Sequence, residues 1–303
     1  MLRKFIDTLK ELTSPQETSQ PSSTKPLSPD DLDMKPDTPP MEKSYQINVG
    51  QGQSVGLQRN HNEDAFFTLT TMLAHNDTEL PIGLYIVADG MGGHQNGEIA
   101  SELAIRSIVQ HVFHEILTPL LSLDSQPRDT SFQEVFQRGI EHANDEIVRS
   151  SFGGGTTVTT VLIVGEQMTI AHVGDSRVYA VDPLGKLDPL TRDHSLVKRL
   201  QELGQISSEE AAVHPQRNVL YRALGQGEPF DPEIISMQRP DEGYLLVCSD
   251  GLWSIVNEEV IGDIIINSPN PQTAVDSLIH AANEAGGPDN ISVILIDLPD
   301  IAV

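Results

Sequence analysis

Apolar residues occur in two patterns along the chain, and each pattern predicts a different kind of element. Short continuous runs rich in β-branched residues predict strands at residues 84–88, 157–164, 168–173, 177–181, 244–248 and 291–296. Apolar positions three or four residues apart predict helices at about 96–117, 131–150, 194–204, 257–267 and 271–285. Because several strands follow one another directly and long helices separate the others, the order predicts a mixed α/β fold with largely antiparallel sheets covered by helices.

The first 44 residues differ in composition and apolar pattern from the rest of the chain. Residues 1–13 space their apolar side chains as a short amphipathic helix does, and two interpretations stay open: a frayed end, or a segment that docks a partner or a membrane surface. Residues 14–44 hold 7 of the 20 prolines and almost no large apolar side chain, which predicts a disordered linker. The globular domain is therefore expected at residues 45–299.

The composition limits the classes of partner and the cellular compartment expected for the protein. The net charge of −25 argues against nucleic acid as the main partner, because phosphate backbones attract basic surfaces. A single cysteine, Cys248, rules out an intrachain disulfide and indicates a reducing, cytoplasmic setting. No apolar run approaches the roughly 18–20 residues of a membrane span, and no signal peptide is recognisable, so no transmembrane segment is expected.

Aspartates recur where predicted strands begin or end, and they are the candidate chemistry of the chain. Any one of them is explained by turn formation, since Asp-Gly is a common turn sequence. Together they suggest a cluster at one rim of the sheets, and clustered carboxylates repel one another unless a cation lies between them. Mg²⁺ and Mn²⁺ prefer such oxygen ligands. The aspartates in question are Asp89, Asp175, Asp250 and Asp289, with Asp64 five residues after Arg59.

The sequence lacks the complete motifs of a thiol phosphatase, a phosphate-binding loop and a zinc site. Cys248 has no following arginine loop of a thiol phosphatase and is predicted to pack in the core. The stretch "GGGTT" at 153–157 lacks the lysine of a phosphate-binding loop and is predicted to let two backbones approach. The ten histidines show no paired zinc-binding spacing.

The motifs in chain order resemble one enzyme family. They are "RNHNEDA", "VADGMGGH", "GGTT", "AHVGDSRVY", "LTRDHS", "HPQRNVLYRALG", "LLVCSDGLW" and "GGPDNISV". Their order resembles the bacterial metal-dependent protein serine/threonine phosphatases, the PPM or type 2C family, over about residues 45–298. The resemblance implies an α+β fold, a four-layer α-β-β-α sandwich of two antiparallel sheets flanked by helices.

The resemblance also implies a set of metal ligands. Asp89 matches the aspartate that bridges two Mn²⁺ or Mg²⁺ ions, and Gly90 matches the residue whose carbonyl binds one of them. Asp250 and Asp289 match the ligands of the other ion. Asp175 matches the acid that holds, with Asp250, a third and weaker ion in bacterial members.

Three further residues receive catalytic roles from the resemblance. Arg59 matches the arginine that holds the substrate phosphate, and Asp64 matches an acid that binds or orients metal-bound water. His94 matches a histidine in bacterial relatives, for which two interpretations remain: a general acid, or a polar residue of a glycine-rich loop. Residues 195–225 correspond to the mobile flap beside the cleft and are called the flap segment below.

The implied function is hydrolysis of phosphoserine and phosphothreonine by direct attack of a hydroxide that bridges two metal ions. The implied partners are phosphoprotein substrates and a cognate serine/threonine kinase, with a monomeric catalytic domain. Two alternatives stay open: a non-catalytic phospho-binding regulatory module, and a phosphatase of small phosphorylated metabolites.

Overall fold

The computed structural model describes residues 46–75, 78–92, 96–121, 130–150, 153–226 and 231–298. Among these residues it forms twelve strands, eight α-helices and one π-helical turn. The segments 1–13 and 14–44, and His94, lie outside the described residues.

The strands are short, and most are joined by tight turns. In chain order they are β1 (Asn48–Ser54), β2 (Ala65–His75), β3 (Thr78–Ala88), β4 (Gly90–Met91), β5 (Gly155–Thr156), β6 (Val158–Val164), β7 (Gln167–Val173), β8 (Arg177–Val181), β9 (Leu187–Pro189), β10 (Glu233–Gln238), β11 (Gly243–Cys248) and β12 (Ile291–Leu298). Turns such as the one at Gly165, where φ is +62°, reverse the chain between neighbouring strands.

The helices carry the capping signals that their sequences suggest. Asn270 caps the last helix by accepting a hydrogen bond from the Thr273 N–H, and a proline follows it at the first helical position. The helices are α1 (Asn96–Val112), α2 (Thr118–Leu121), α3 (Phe132–Ser150), α4 (Leu196–Glu202), α5 (Ser208–Ala212), α6 (Asp250–Trp253), α7 (Glu258–Asn267) and α8 (Pro271–Glu284), with the π turn at Phe113–Leu117 between α1 and α2.

Ten of these strands form two five-stranded sheets in which every neighbouring pair is antiparallel. One sheet has the order β1-β12-β11-β8-β9, and the other has the order β10-β7-β6-β3-β2. The short strands β4 and β5 form a separate pair, in which Gly90 lies opposite Thr156. Strand β4 directly follows β3 and precedes α1 in the chain, whereas β5 directly precedes β6.

Three buried clusters arrange the sheets and helices into four layers. The middle cluster packs one sheet on the other, and the outer two pack α1 and α3 against the second sheet and α7 and α8 against the first. Strand β3 shows why its sequence is continuously apolar: Leu84 and Ile86 face the helices, whereas Tyr85 and Val87 face the other sheet. The α+β, α-β-β-α sandwich of two antiparallel sheets expected from the resemblance is confirmed.

All six predicted strands and all five predicted helices are present, but six strands and three short helices were not predicted. The strands are β1, β2, β4, β5, β9 and β10, and the helices are α2, α5 and α6. The described part of the chain has no helix that combines the length and the apolar character needed to cross a membrane.

Candidate metal centre

Asp89 stands at the end of β3 on a tightly held backbone. Its N–H donates to the Thr157 hydroxyl at 3.0 Å. Its carbonyl accepts from the Thr157 N–H at 2.8 Å and from the Thr156 hydroxyl at 2.9 Å. These bonds fix the main chain from which the carboxylate projects.

Gly90 must be a glycine because of its neighbours. A Cβ atom built on it would overlap the carbonyl oxygens of Gly97 and Glu63. Such backbone atoms cannot move aside as a flexible side chain would. The chain therefore passes close to two other segments directly after Asp89, as the glycine-rich sequence suggests.

Asp64 is buried and lies directly before β2. Its Oδ2 atom accepts hydrogen bonds from the hydroxyls of Ser249 and Ser292, each at 2.8 Å. Burial is the largest cause that raises the pKa of Asp64 to about 7; the charges of Asp250 and Asp289 act in the same direction, and the two hydroxyls act against it.

Asp250 follows the last residue of β11, and Asp289 lies two residues before β12; because the two strands are antiparallel neighbours, these ends lie side by side. Asp250 begins α6, and its Oδ1 atom is buried without a hydrogen-bond partner among the described residues. Burial, and next the charge of Asp289, raise the pKa of Asp250 to about 6. Asp289 accepts from the Asn290 N–H at 2.9 Å and is paired with Arg59, whose Nη2 lies 2.7 Å from its Oδ2.

Asp175 follows β7 and is anchored through its main chain. Its carbonyl accepts a hydrogen bond of 3.0 Å from the indole N–H of Trp253. Burial raises the pKa of the Asp175 carboxyl well above its usual value, and the charges of Asp250 and Asp193 add to this effect. The predicted third-ion ligands, Asp175 and Asp250, therefore lie within electrostatic reach of each other.

Asp89 is the carboxylate on which the others converge. Burial raises the pKa of its carboxyl well above the usual value, and four neighbouring carboxylates contribute in the same direction: Asp64, Asp250, Asp175 and Asp289. We call these five carboxylates the carboxylate rim. Such a set is unfavourable by itself, and a divalent cation would relieve both the repulsion and the unpartnered oxygen of Asp250.

The donor set of the rim fits hard divalent ions. All the side-chain ligands that the rim can offer a metal ion are carboxylate oxygens, which Mg²⁺ and Mn²⁺ prefer, and the main-chain carbonyl of Gly90 is adjacent. Within the described ranges, no group of three or more aspartate, glutamate, histidine or cysteine side chains is already arranged so that it could hold a metal ion. Ion binding at the rim therefore requires the aspartate side chains to rearrange.

Asn290 supports the backbone next to the rim, and the sequence reasoning missed it. Its Oδ1 atom accepts from the Glu63 N–H at 2.7 Å, and its amide group donates to the carbonyls of Val55 and His61 at 2.9 and 3.0 Å. These three bonds hold the loop that carries Arg59 and Asp64 against the rim. The only sequence signal was its position directly after Asp289.

Two predictions about non-catalytic residues are confirmed. Cys248 is fully buried on β11, as core packing requires. In the "GGGTT" stretch, a Cβ atom on Gly154 would overlap the carbonyl oxygen of Asn96, so these glycines do allow a close approach of two backbones. His94, given a general-acid role from the resemblance, lies in a part of the chain that the structure does not describe.

Comparison with known proteins gives consistent matches over the described domain. The sequence model of the family described as protein phosphatase 2C matches residues 49–291. The serine/threonine phosphatase Stp of Listeria monocytogenes is 38% identical over 250 residues, which cover 80% of this chain and 92% of that protein.

Solved structures with the same fold include enzymes of the same kind. The serine/threonine phosphatase of S. agalactiae aligns with a TM-score of 0.71 at 32% identity, over 83% of this chain and 99% of that one. The catalytic domain of the phosphatase PstP, in complex with two manganese ions, aligns with a TM-score of 0.67 at 28% identity, over 84% and 99% of the two chains. The fold, the carboxylate rim and these matches together show that the chain belongs to the protein phosphatase 2C family.

Proposed function

We propose that this protein is a metal-dependent protein serine/threonine phosphatase that hydrolyses phosphoserine and phosphothreonine with two Mn²⁺ or Mg²⁺ ions. The observation that carries the proposal is the convergence of four buried or half-buried carboxylates on Asp89, with an unpartnered oxygen on Asp250. Family membership supports the same activity.

We assign the roles within the rim as follows. Asp89, the Gly90 carbonyl, Asp250 and Asp289 would hold two ions, and Asp175 with Asp250 would hold a third, weaker one. Bound ions of this kind supply a nucleophilic water near neutral pH and neutralise charge on the phosphoryl oxygens.

The other residues of the site prepare it for substrate. Asp64, held by two serine hydroxyls, is placed to accept a hydrogen bond from a water at the rim. The Arg59 side chain is 49% exposed and makes one short ion pair, so it can exchange Asp289 for a substrate phosphate. Its planar fork suits the bidentate binding of phosphate. His94 as a general acid remains a prediction.

The first experiment measures hydrolysis of p-nitrophenyl phosphate and of a phosphothreonine peptide by the purified protein. Each substrate is assayed with Mn²⁺, with Mg²⁺ and with EDTA, beside Asp89→Asn and the matched surface variant Asp276→Asn. We expect turnover only with metal, a loss of about 10²–10³-fold or more in Asp89→Asn, and none in Asp276→Asn.

Other outcomes would redirect the assignment. Absence of turnover with either metal would favour a non-catalytic phospho-binding module. Turnover of the aryl phosphate and of small phosphorylated metabolites, but not of the peptide, would favour a metabolite phosphatase.

The partners beyond the substrate are also proposals. We expect the substrates to be products of a cognate serine/threonine kinase, and we expect a cytoplasmic location and a monomeric catalytic domain. If residues 1–13 only dock a partner or a membrane surface, removal of residues 1–40 leaves hydrolysis of p-nitrophenyl phosphate nearly unchanged. A large loss of that activity would show that the segment belongs to the catalytic unit.

A further inference from the structure

A cavity of about 480 Å³ lies beside the flap segment, apart from the carboxylate rim. Its wall carries three guanidinium groups, those of Arg192, Arg199 and Arg222, together with the ring of Tyr221. We call it the arginine cavity. The carboxylates of Asp231 and Glu233 lie in the same wall, so in a chain with only 19 basic residues and a net charge of −25 the cavity is a local concentration of arginine rather than of acid.

The arginines of this cavity are paired with carboxylates that are partly or largely exposed to solvent. Arg192 and Arg199 share one carboxylate, that of Glu202, and the Arg199 contact is 3.5 Å long. Arg222 lies 3.6 Å from Asp231, whose side chain is 75% exposed. Exposed pairs of this kind are weak, so a ligand with two or more anionic oxygens can displace them.

The inner end of the cavity offers one donor and one acceptor. The Nδ1 atom of His194 accepts a hydrogen bond from the Gly174 N–H at 3.1 Å, and burial lowers the pKa of His194 to about 3. The neutral ring therefore carries its proton on Nε2, which lies 3.9 Å from the Glu233 Oε2 atom, too far for a hydrogen bond. That Glu233 oxygen is buried and has no hydrogen-bond partner in the described residues. The C=O and N–H of one extended residue lie on the same side of its backbone, so a bound peptide strand would pair with the His194 Nε2–H and, after a rotation of the Glu233 side chain, with its Oε2 atom.

Backbone hydrogen bonds connect the segment that lines the arginine cavity to the carboxylate rim. The His194 N–H donates to the Gly174 carbonyl at 2.7 Å, one residue before Asp175. On the other side, Leu224 and Thr156 exchange two backbone hydrogen bonds of 2.9 and 3.1 Å, and the Thr156 hydroxyl donates to the Asp89 carbonyl. The two ends of the flap segment are thus held next to two of the proposed metal ligands, Asp175 and Asp89.

We propose that the arginine cavity binds a second anionic side chain, phosphorylated or acidic, of the phosphoprotein that is hydrolysed at the carboxylate rim. The identity of this ligand rests on the proposed function. The guanidinium groups match the geometry of phosphate and carboxylate oxygens. His194 and Glu233 pair with the peptide backbone beside that side chain, which favours a peptide over a free inorganic anion.

The kinetic test compares pairs of phosphothreonine peptides that carry Asp or Asn at each flanking position in turn. The enzymes are the full-length protein, Arg199→Gln, Arg222→Gln and the control Lys186→Gln. Lys186 is an exposed lysine paired with Asp188 on β9, and it does not line the cavity, so its variant removes the same charge elsewhere. Thermal unfolding by circular dichroism verifies that each variant is folded.

We expect the best Asp peptide to have a KM about tenfold lower than its Asn counterpart with the full-length protein. This ratio should fall to about one in either arginine variant and persist in Lys186→Gln. Equal KM values for all Asp and Asn pairs, or an unchanged ratio in both arginine variants, would overturn the proposal.

A binding measurement separates this proposal from the proposed activity. In EDTA, the anisotropy of a fluorescent peptide bearing two phosphothreonines reports affinity without turnover, and inorganic phosphate serves as the competitor. We expect the Kd to rise about tenfold in Arg199→Gln and Arg222→Gln, whether or not the enzyme is active with metal. Equal affinity of all four proteins overturns the cavity as a peptide site, and competition by phosphate as strong as by unlabelled peptide overturns the choice of a peptide ligand.

Discussion

Arg177, directly behind the carboxylate rim, makes the most densely connected ion pair in the described domain. Its Nε and Nη2 atoms donate to the two carboxylate oxygens of Asp193 at 2.8 and 2.7 Å. Its Nη1 atom donates to the Tyr179 hydroxyl at 2.6 Å, and its guanidinium lies 3.5 Å from the centre of the Trp253 ring. The side chains of Arg177 and Asp193 are only 19% and 8% exposed.

The substitution Arg177→Met should therefore be costly. It keeps much of the packing volume but leaves the buried Asp193 without its two charged donors. Removal of one partner of a buried pair costs about 3–5 kcal/mol of the free energy of unfolding, because the remaining charge is uncompensated. Asp193→Asn should cost less, about 1–3 kcal/mol, since the arginine keeps Tyr179 and Trp253 as partners. The double variant should lose less than the sum, with a coupling of about 2 kcal/mol.

The assay is urea unfolding in EDTA, so that metal bound at Asp175 adds no stability through linkage. Far-UV circular dichroism follows the whole domain, and the fluorescence of Trp253, the only tryptophan of the chain, reports the pair directly. Arg106→Met is the control: its pair with Glu102 joins side chains 75% and 54% exposed, so its loss should cost under about 1 kcal/mol.

Two results would refute this reasoning. The first is an Arg177→Met protein within about 1 kcal/mol of the parent, since this would mean that Asp193 finds water or another donor at no cost. The second is strict additivity in the double variant, which would mean that the two side chains stabilise the fold independently.

The remaining predictions concern three other residues. Burial lowers the pKa of His172 to about 4, below the value of about 6.5 for the unfolded chain, so the unfolded state binds more protons than the folded state as the pH falls from 7 to 5. The parent protein should therefore lose about 2 kcal/mol more of its free energy of unfolding over that range than His172→Gln does. Urea unfolding at both pH values measures this difference, and equal losses would contradict it. Arg59→Lys should raise the KM for a phosphothreonine peptide about tenfold with less effect on kcat, because lysine cannot bind phosphate through two parallel bonds, and an unchanged KM would remove Arg59 from phosphate binding. Cys248 is fully buried, so a thiol reagent should modify one thiol per chain in denaturant and none in the native protein; rapid native labelling would contradict the burial.

The sequence predicted the interior of the sandwich well because both faces of its central strands are buried. Continuous apolar runs such as 84–88 and 291–296 are distinctive for that reason. The missed strands lie at sheet edges or are partly exposed: β1 contains Gly50 and Gly52, and β10 is exposed over its last three residues. Such strands depend on pairing with a neighbour more than on their own propensity, and pairing is not visible in the sequence.

The acids of the candidate site were visible for a physical reason. A polar group at the end of a buried strand interrupts a clear pattern, so Asp89, Asp175 and Asp250 stood out. The supporting residues did not, because their role depends on contacts far along the chain. Asn290 holds residues more than 225 positions away, and the two serines on Asp64 come from two different strand ends.

Exposure and pairing divide the arginines near the rim into two roles. Arg177 is buried and bound through all three nitrogens of its guanidinium, so an exchange of partner would break several contacts at once. Arg59 is half exposed and has one short contact, so it can release Asp289 for a phosphate at little cost. At physiological salt the Debye length is about 8 Å, so the distant acidic residues that give the chain its net charge of −25 hardly change the interaction of either arginine with its partner. The same residue type therefore predicts opposite phenotypes: loss of stability at position 177, and loss of substrate affinity at position 59.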